Sequence, residues 1–277
     1  MTGLCLEERA YLDKLHRILY LLLEEVDRIC RKHRIRYQII AGTELGAVRH
    51  GGYIPWDDDA DIAMLRSEYE RFVEVCRTEL DTERFYFQDH RETPGYRWGY
   101  GKLRRKDTLF LREYQEHMPY EQGIFIDIFP LDGVPDSYFL RALKNFECFC
   151  VRKILWSKVG QNADRSPAKR LAFSLLSRIP ERAVLSYLDH MIARAPKRSR
   201  MVRILMFPTP NRAYGYPKKY YLSAAPTVFE GHTFPGAKDA RGYLSFKFGD
   251  YMTLPPPEQR KTHPVSALKL PGGKIMR

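Results

Sequence analysis

An acidic cluster at residues 57–61 places the tightest constraint on the fold of this 277-residue chain. The cluster has four aspartates in five residues and leads directly into an apolar run. Because neighbouring carboxylates repel one another, a fold either exposes such a cluster to solvent or uses it to bind a divalent cation. The apolar run after Asp61 is typical of a buried strand, whose side chains alternate in direction. Asp59 and Asp61 are therefore predicted on one face, with Asp57 close behind and Asp58 pointing away.

Two other interpretations of the cluster are weaker. A solvated acidic turn would not normally lie between a Pro-Trp pair and an apolar strand. An EF-hand loop, whose acidic spacing the chain matches as far as Glu68, requires glycine at its sixth position, where the chain has Ile62. Aligned carboxylates on a rigid strand suit Mg²⁺, which leaves coordination positions open for water and phosphate. We therefore expect Asp59 and Asp61 to bind Mg²⁺.

A second motif precedes the cluster. Residues 37–41 predict a strand and residues 44–50 a short helix, with Gly42 and Thr43 between them. Such a junction presents free N–H groups and a hydroxyl at a helix N-terminus, where phosphate can bind. Alone it is an ordinary helix cap. Followed by an Asp-x-Asp strand, it predicts a nucleotide-binding site with one arm for phosphate and one for Mg²⁺.

These motifs continue along the chain in a recognisable order, at residues 42–50, 52–59, 61–62, 102–104, 123–133, 248–252 and 254–256. The pattern resembles the signature of the LicD family, which includes bacterial phosphocholine transferases and has fukutin and fukutin-related protein as relatives. The resemblance is strong over about 35–135, thin over 136–210 and partial towards the C-terminus.

The resemblance implies a nucleotidyltransferase-like fold in which Asp59 and Asp61 bind Mg²⁺ and Asp127 is a third catalytic carboxylate, either a metal ligand or the base for an acceptor hydroxyl. It also implies transfer of a phospho-alcohol, most simply phosphocholine, from a CDP-alcohol donor to a cell-surface glycan such as teichoic acid or lipopolysaccharide, or to its lipid-linked precursor. The candidate substrate-binding residues are Gly42, Thr43, Arg49, Asp57, Lys102 and Arg104. Lys102 and Arg104, two apart on a predicted strand, would neutralise phosphate oxygens together. In the alternative interpretation, Lys102 and Arg104 lie on an exposed basic strand at the edge of the sheet and do not bind phosphate.

Two other functions stay open at this point. A nucleotidyltransferase that modifies a small molecule or protein would carry the same carboxylates, and a non-catalytic cation-binding or membrane-associated scaffold would keep the fold without turnover. The three intact aspartates argue against the scaffold. Five aromatic residues near the motifs are candidates for a cage that binds a quaternary ammonium group. Aromatic residues at such positions more often belong to the apolar core, and we favour that interpretation for Tyr53, Trp56, Tyr96, Trp98 and Tyr100. His263 and Arg260 are weaker candidates for contact with a phosphate, because a lone histidine after Lys-Thr is more typical of a protein surface.

Charge indicates an anionic partner. The net charge is +12, and residues 141–203 carry many of the cations, interleaved with apolar residues. This pattern suits a basic amphipathic helix at a membrane surface as well as it suits a helix packed on the core. Nucleic acid is a less suitable partner because no recognised motif accompanies the charge. Residues 1–13 lack a signal-peptide pattern, and the five cysteines predict reduced thiols, so we expect a cytoplasmic protein, with peripheral contact at the inner face of the membrane if the first interpretation holds.

The remaining periodicities predict an α+β fold with a small mixed sheet. A helix is expected over 6–34, another after a capping box at Ser67 to Glu70, and two or three more over 136–200. Predicted strands cover 85–87, 98–103, 108–111 and 124–129. We expect a catalytic core at 1–135, a basic helical segment at 136–205, and an irregular tail at 206–277 that packs over the core.

Overall fold

The computed structural model describes residues 6–209 and 211–276. Within these ranges the helices are Leu6–His33 (α1), Ala41–His50 (α2), Arg66–Glu79 (α3), Tyr138–Ala163 (α4), Pro167–Leu176 (α5), Glu181–Ala193 (α6), Lys219–Leu222 (α7) and Ala240–Phe248 (α8), with a 3₁₀ turn at Pro257–Gln259. The strands are Gln38–Ile39 (β1), Asp61–Leu65 (β2), Phe85–Gln88 (β3), Gly101–Arg105 (β4), Leu109–Arg112 (β5), Phe125–Val134 (β6), Met201–Arg203 (β7), Tyr216–Pro217 (β8), Ala224–Phe229 (β9), His232–Ala237 (β10) and Val265–Lys269 (β11).

The central sheet is mixed and has the strand order β1-β2-β6-β4-β3. β2 and β6 are parallel, and the other neighbours along this path are antiparallel. The C-terminal end of the long strand β6 continues into a second ladder with β7 and β8. This arrangement confirms the predicted α+β fold with a small mixed sheet.

The two faces of the sheet differ in character. Ile62, Leu103 and Ile126 face α1 and α3, where they join a large apolar core that excludes water from that side. Since side chains alternate along a strand, the flanking residues of the same strands face the opposite side. Asp61, Lys102 and Asp127 therefore lie on the face away from α1.

The segment after β6 forms three helices, as predicted, with breaks after residue 163 and at Pro180. α4 and α6 share an apolar core with the end of β6 and with Leu205 and Met206. The division of the chain at residues 135 and 205 stays a prediction.

Three local predictions are wrong. The C-terminal segment is not irregular, because it folds into the β9-β10 hairpin, α8 and β11. α3 begins at Arg66, one residue before the expected capping serine, and has no side-chain cap. The strand expected from residue 98 begins only at Gly101, since residues 98–100 form a bend containing Gly99 at φ 69°, which does not fit a strand.

Cysteines of the described segments are free, and Cys30, Cys76 and Cys148 are buried, as predicted for reduced thiols. Cys5 lies outside the described residues. Among the helices of residues 6–209 and 211–276, none combines the length and apolar character that crossing a bilayer requires.

Candidate active site

Three charged side chains meet where β2, β6 and β4 lie side by side. Asp61 is directly opposite Asp127 in the parallel β2-β6 ladder, and Lys102 is directly opposite Asp127 in the antiparallel β4-β6 ladder. All three share the face away from α1. Backbone pairing alone thus brings together two carboxylates and an ammonium group from three distant parts of the sequence.

Lys102 and Asp127 form a buried ion pair. The Lys102 ammonium also lies 3.3 Å from the centroid of the Phe125 ring. Burial lowers the pKa of Lys102 to about 8, while the neighbouring Asp127 carboxylate acts in the opposite direction. Arg104 on the same strand is buried too, and it donates to Gln88 at 2.6 Å and to the Gly123 carbonyl at 2.6 Å. β4 is an interior strand, so the alternative of an exposed basic edge is wrong for both residues.

The aspartates before β2 do not alternate as an extended strand would. Residues 57–60 are irregular and the strand begins at Asp61. Asp58 is buried and accepts a hydrogen bond from the His263 backbone N–H at 2.9 Å, with the His263 Nδ1 2.7 Å from its other oxygen. The same Nδ1 lies 3.6 Å from Asp59. The prediction that Asp58 points away from Asp59 is therefore wrong, because the alternation of a strand does not extend back to residue 58.

The acidic groups are electrostatically strained. Burial raises the pKa of Asp57, Asp59 and Asp61, and repulsion from neighbouring carboxylates adds to the increase for each. For Asp61 these neighbours are Asp59, Asp127 and Asp57. A divalent cation would relieve this repulsion, and hard oxygen donors are what Mg²⁺ takes, so the residues fit the ion. Asp58, Asp59 and His263 bring one ligand atom each within 4.8 Å of one another, which makes a further metal position available beside Asp59.

A cavity of about 230 Å³ opens at this cluster. Arg112, at the end of β5, reaches it with a guanidinium nitrogen 4.0 Å from an Asp59 oxygen. The lining combines acidic, basic and aromatic side chains, as a site for a charged phosphate ester requires. It consists of Asp59, Asp61, Trp98, Tyr100, Lys102, Arg104, Phe110, Arg112, Gln115, Gln122, Phe125, Asp127, Trp156, Phe207 and His263.

Aromatic side chains also line a second cavity of about 320 Å³ that adjoins the first. Trp98, Tyr100, Trp156 and Phe207 belong to both, and the second cavity adds Arg152, Lys153, Met206 and Pro208. By contrast, Tyr53, Trp56 and Tyr96 are buried residues of the apolar clusters. The core interpretation is thus confirmed for these three, whereas Trp98 and Tyr100 face the site.

Gly42 and Thr43, the predicted phosphate-binding residues, do not lie at the cavity. α2 begins at Ala41, so Gly42 and Thr43 lie inside its first turn. The Thr43 hydroxyl accepts a hydrogen bond from the Asp61 N–H at 2.8 Å, and a Cβ at residue 42 would lie 2.6 Å from an Asp57 carboxylate oxygen. A side chain at residue 42 would displace the Asp57 carboxylate from its place against the helix. These residues support the acidic loop, and they do not line the cavity.

Arg49 is also away from the cavity, where it donates to the Tyr251 carbonyl at 2.8 Å. A larger groove of about 1160 Å³ lies between α1 and residues 50–56, but it contains none of the three catalytic candidates. Volume alone therefore does not identify the site. Arg112 and His263 do line the cavity. The sequence analysis missed Arg112 and gave little weight to His263, because neither residue belongs to a local motif.

Comparison with known proteins agrees with this geometry. Residues 34–146 match a family model described as LicD/FKTN/FKRP, nucleotidyltransferase domain. The chain is 28% identical over 256 residues to the lipopolysaccharide cholinephosphotransferase LicD of Haemophilus influenzae, an alignment that covers 88% of this chain and 92% of the relative. It is also 32% identical over 127 residues to an uncharacterised protein of Rickettsia prowazekii, covering 39% of this chain and 44% of that protein.

Proposed function

We propose that this chain is a transferase of the LicD family, and that it transfers phosphocholine from CDP-choline to a lipopolysaccharide-type glycan or to its lipid-linked precursor, with Mg²⁺ as cofactor. The observation that carries the proposal is the convergence of Asp61, Asp127 and Lys102 across three adjacent strands. The full-length similarity to a cholinephosphotransferase supports phosphocholine as the group moved.

In this proposal Asp59 and Asp61 hold the Mg²⁺. When bound, the ion supplies positive charge that neutralises the diphosphate of the donor. Lys102, Arg104 and Arg112 line the same cavity and would neutralise the remaining phosphate oxygens. Most of the catalytic effect in phosphoryl transfer comes from such positioning and charge stabilisation.

The transfer step needs one base. An acceptor hydroxyl oxygen attacks the phosphorus that bears choline, the bond from that phosphorus to the bridging oxygen breaks, and CMP leaves with the electron pair. Asp127 would take the hydroxyl proton, since it lies in the cavity. Lys102, its ion-pair partner, would hold the carboxylate in place within the cavity.

A binding screen tests this function. CDP-choline, CDP-ethanolamine, CDP-glycerol, CDP-ribitol and CTP are titrated into the protein with and without Mg²⁺, and binding is followed by calorimetry. We expect CDP-choline to bind in the presence of Mg²⁺ and CTP to bind weakly. Tight binding of CTP with release of pyrophosphate on turnover would indicate a nucleotidyltransferase instead, and the absence of any binding would indicate a scaffold.

A further inference from the structure

An apolar stripe of α4 is exposed to solvent. Phe139 is 80% exposed, Leu143 66% and Phe146 64%, and their spacing of four and three residues puts them on one side of the helix. Phe149 extends the stripe by another turn. Single exposed apolar residues are ordinary, but a continuous stripe of large ones marks a surface that binds something.

The next helix continues this exposure. On α5, Leu171 is 64% and Leu175 54% exposed, one turn apart, and Ile179 follows the helix at 38%. α5 packs on α4 through Phe173, which sits against Gly160. The buried side of α5 is therefore already used, and its outward side is apolar as well.

Charge around these helices is strongly positive. Residues 141–203 contain 15 Lys and Arg residues and four Asp and Glu residues, and so hold eleven of the twelve net positive charges of the chain. Lys158, Lys169, Arg170, Arg178 and Arg182 are exposed. Apolar stripes bordered by lysine and arginine are typical of helices that lie in the interface of an anionic membrane.

We propose that the exposed apolar residues of α4 and α5, with the cations around them, dock this protein on an anionic lipid bilayer. The apolar side chains enter the boundary between headgroups and acyl chains, while the lysines and arginines contact the lipid phosphates. Charge complementarity favours an anionic bilayer over a second copy of the chain. In a dimer formed through this surface, two segments that each carry eleven net positive charges would repel one another.

The same helix leads to the site. Arg152, Lys153 and Trp156 of α4 line the cavity that adjoins the catalytic one, and the Lys153 ammonium lies 5.5 Å from the centroid of the Phe149 ring. Phe149 and Trp156 are seven residues apart, about 10 Å along a helix. If the proposed function holds, a glycan acceptor anchored in the membrane has a short path along α4 from the bilayer to the catalytic carboxylates.

Vesicle sedimentation tests the docking surface. The full chain is sedimented with vesicles of phosphatidylcholine alone or mixed with phosphatidylglycerol, at low and high salt. Two double variants, Leu143→Gln/Phe146→Gln and Arg178→Glu/Arg182→Glu, change exposed residues of the surface. Matched controls are Val228→Gln, which is 58% exposed on β9, and Lys14→Glu/Lys238→Glu, which reverses two exposed charges elsewhere.

We expect binding to the anionic vesicles only, and its loss at high salt. Removing one cation near such a surface lowers partitioning about fivefold, so reversal of Arg178 and Arg182 should lower it about 25-fold or more. The apolar variant should also bind less, and both controls should bind like the wild type. The proposal is overturned if the wild type ignores anionic vesicles, if the surface variants bind unchanged, or if the variants only disrupt a dimer. Binding needs no donor, so failure here leaves the proposed catalysis untouched.

Discussion

Asp61 and Asp127 lie directly opposite each other on the parallel strands β2 and β6, although they are 66 positions apart in the sequence. The strand register places both carboxylates on the face that α1 leaves open. Burial and repulsion from the neighbouring carboxylates raise the pKa of Asp61, and a bound cation would oppose that increase.

Asp59→Asn and Asp61→Asn should each abolish Mg²⁺ binding and turnover. Neither should reduce the free energy of unfolding of the metal-free protein, because each removes a repelling carboxylate. Calorimetry of Mg²⁺ binding and thermal unfolding in EDTA measure the two effects. Asp107→Asn changes an exposed aspartate with φ 59°, a conformation that asparagine accepts, and is the matched control. Near wild-type turnover in both site variants would remove these residues from the mechanism.

Lys102 and Asp127 should be strongly coupled in stability. Removing one partner leaves a buried unpaired charge, and such changes cost about 3–5 kcal/mol. We expect Lys102→Met and Asp127→Asn to destabilise the protein individually and the double variant to recover part of the loss, measured by urea unfolding. Additive losses would show that the pair does not act as a unit. If Asp127 is the base, Asp127→Asn should also lower kcat while donor affinity stays nearly unchanged.

Thr43→Val should act through Asp61. Valine has a similar shape but cannot accept the hydrogen bond that the Asp61 N–H donates to Thr43. Leaving a buried N–H without a partner costs about 1–3 kcal/mol of stability. We expect lower stability together with weaker Mg²⁺ binding, and recovery of both in Thr43→Ser. Thr78→Val, at an exposed helix position, should change stability by no more than about 0.5 kcal/mol. Unchanged Mg²⁺ binding in Thr43→Val would mean that Thr43 does not position Asp61.

Glu44 should make stability depend on pH. Its side chain is buried, and burial raises its pKa from 4.5 to about 7, opposed by a hydrogen bond from the Ala237 N–H. The folded state therefore holds a proton that the unfolded state releases near pH 4.5, so this contribution is full below that pH and is lost as the pH rises to about 7. The loss amounts to about 3 kcal/mol at most.

Chemical unfolding of the wild type and of Glu44→Gln across this pH range checks the Glu44 contribution. The wild type should lose stability relative to the variant as the pH rises, because glutamine carries no titratable proton. Parallel stability profiles for the two proteins would contradict it. Taking the difference between them cancels the titration of the other buried carboxylates, which is common to both.

Local patterns in the sequence were enough to predict the mixed sheet, the long first helix and the pair Asp59 and Asp61, which both line the cavity. Asp127 was predicted only from the resemblance to the LicD family. Local patterns succeed because strand alternation and an Asp-x-Asp spacing are short-range properties. Asp58 shows where they stop. Its partner His263 is 205 residues away, and only the path of the C-terminal segment brings the two together. The hairpin and α8 were missed for a related reason, since Pro, Gly and Tyr favour irregular structure locally while tertiary packing overrides that preference.

We propose that a metal ion held by Asp59 and Asp61 contacts the donor diphosphate. Mn²⁺, which replaces Mg²⁺ at oxygen sites, broadens the ³¹P signals of any phosphate that it contacts. We expect Mn²⁺ with the wild-type protein to broaden both diphosphate signals of CDP-choline. The same titration with Asp59→Asn or Asp61→Asn should give only the broadening seen without protein. Equal broadening in the wild type and both variants, or tight CDP-choline binding in EDTA, would contradict it.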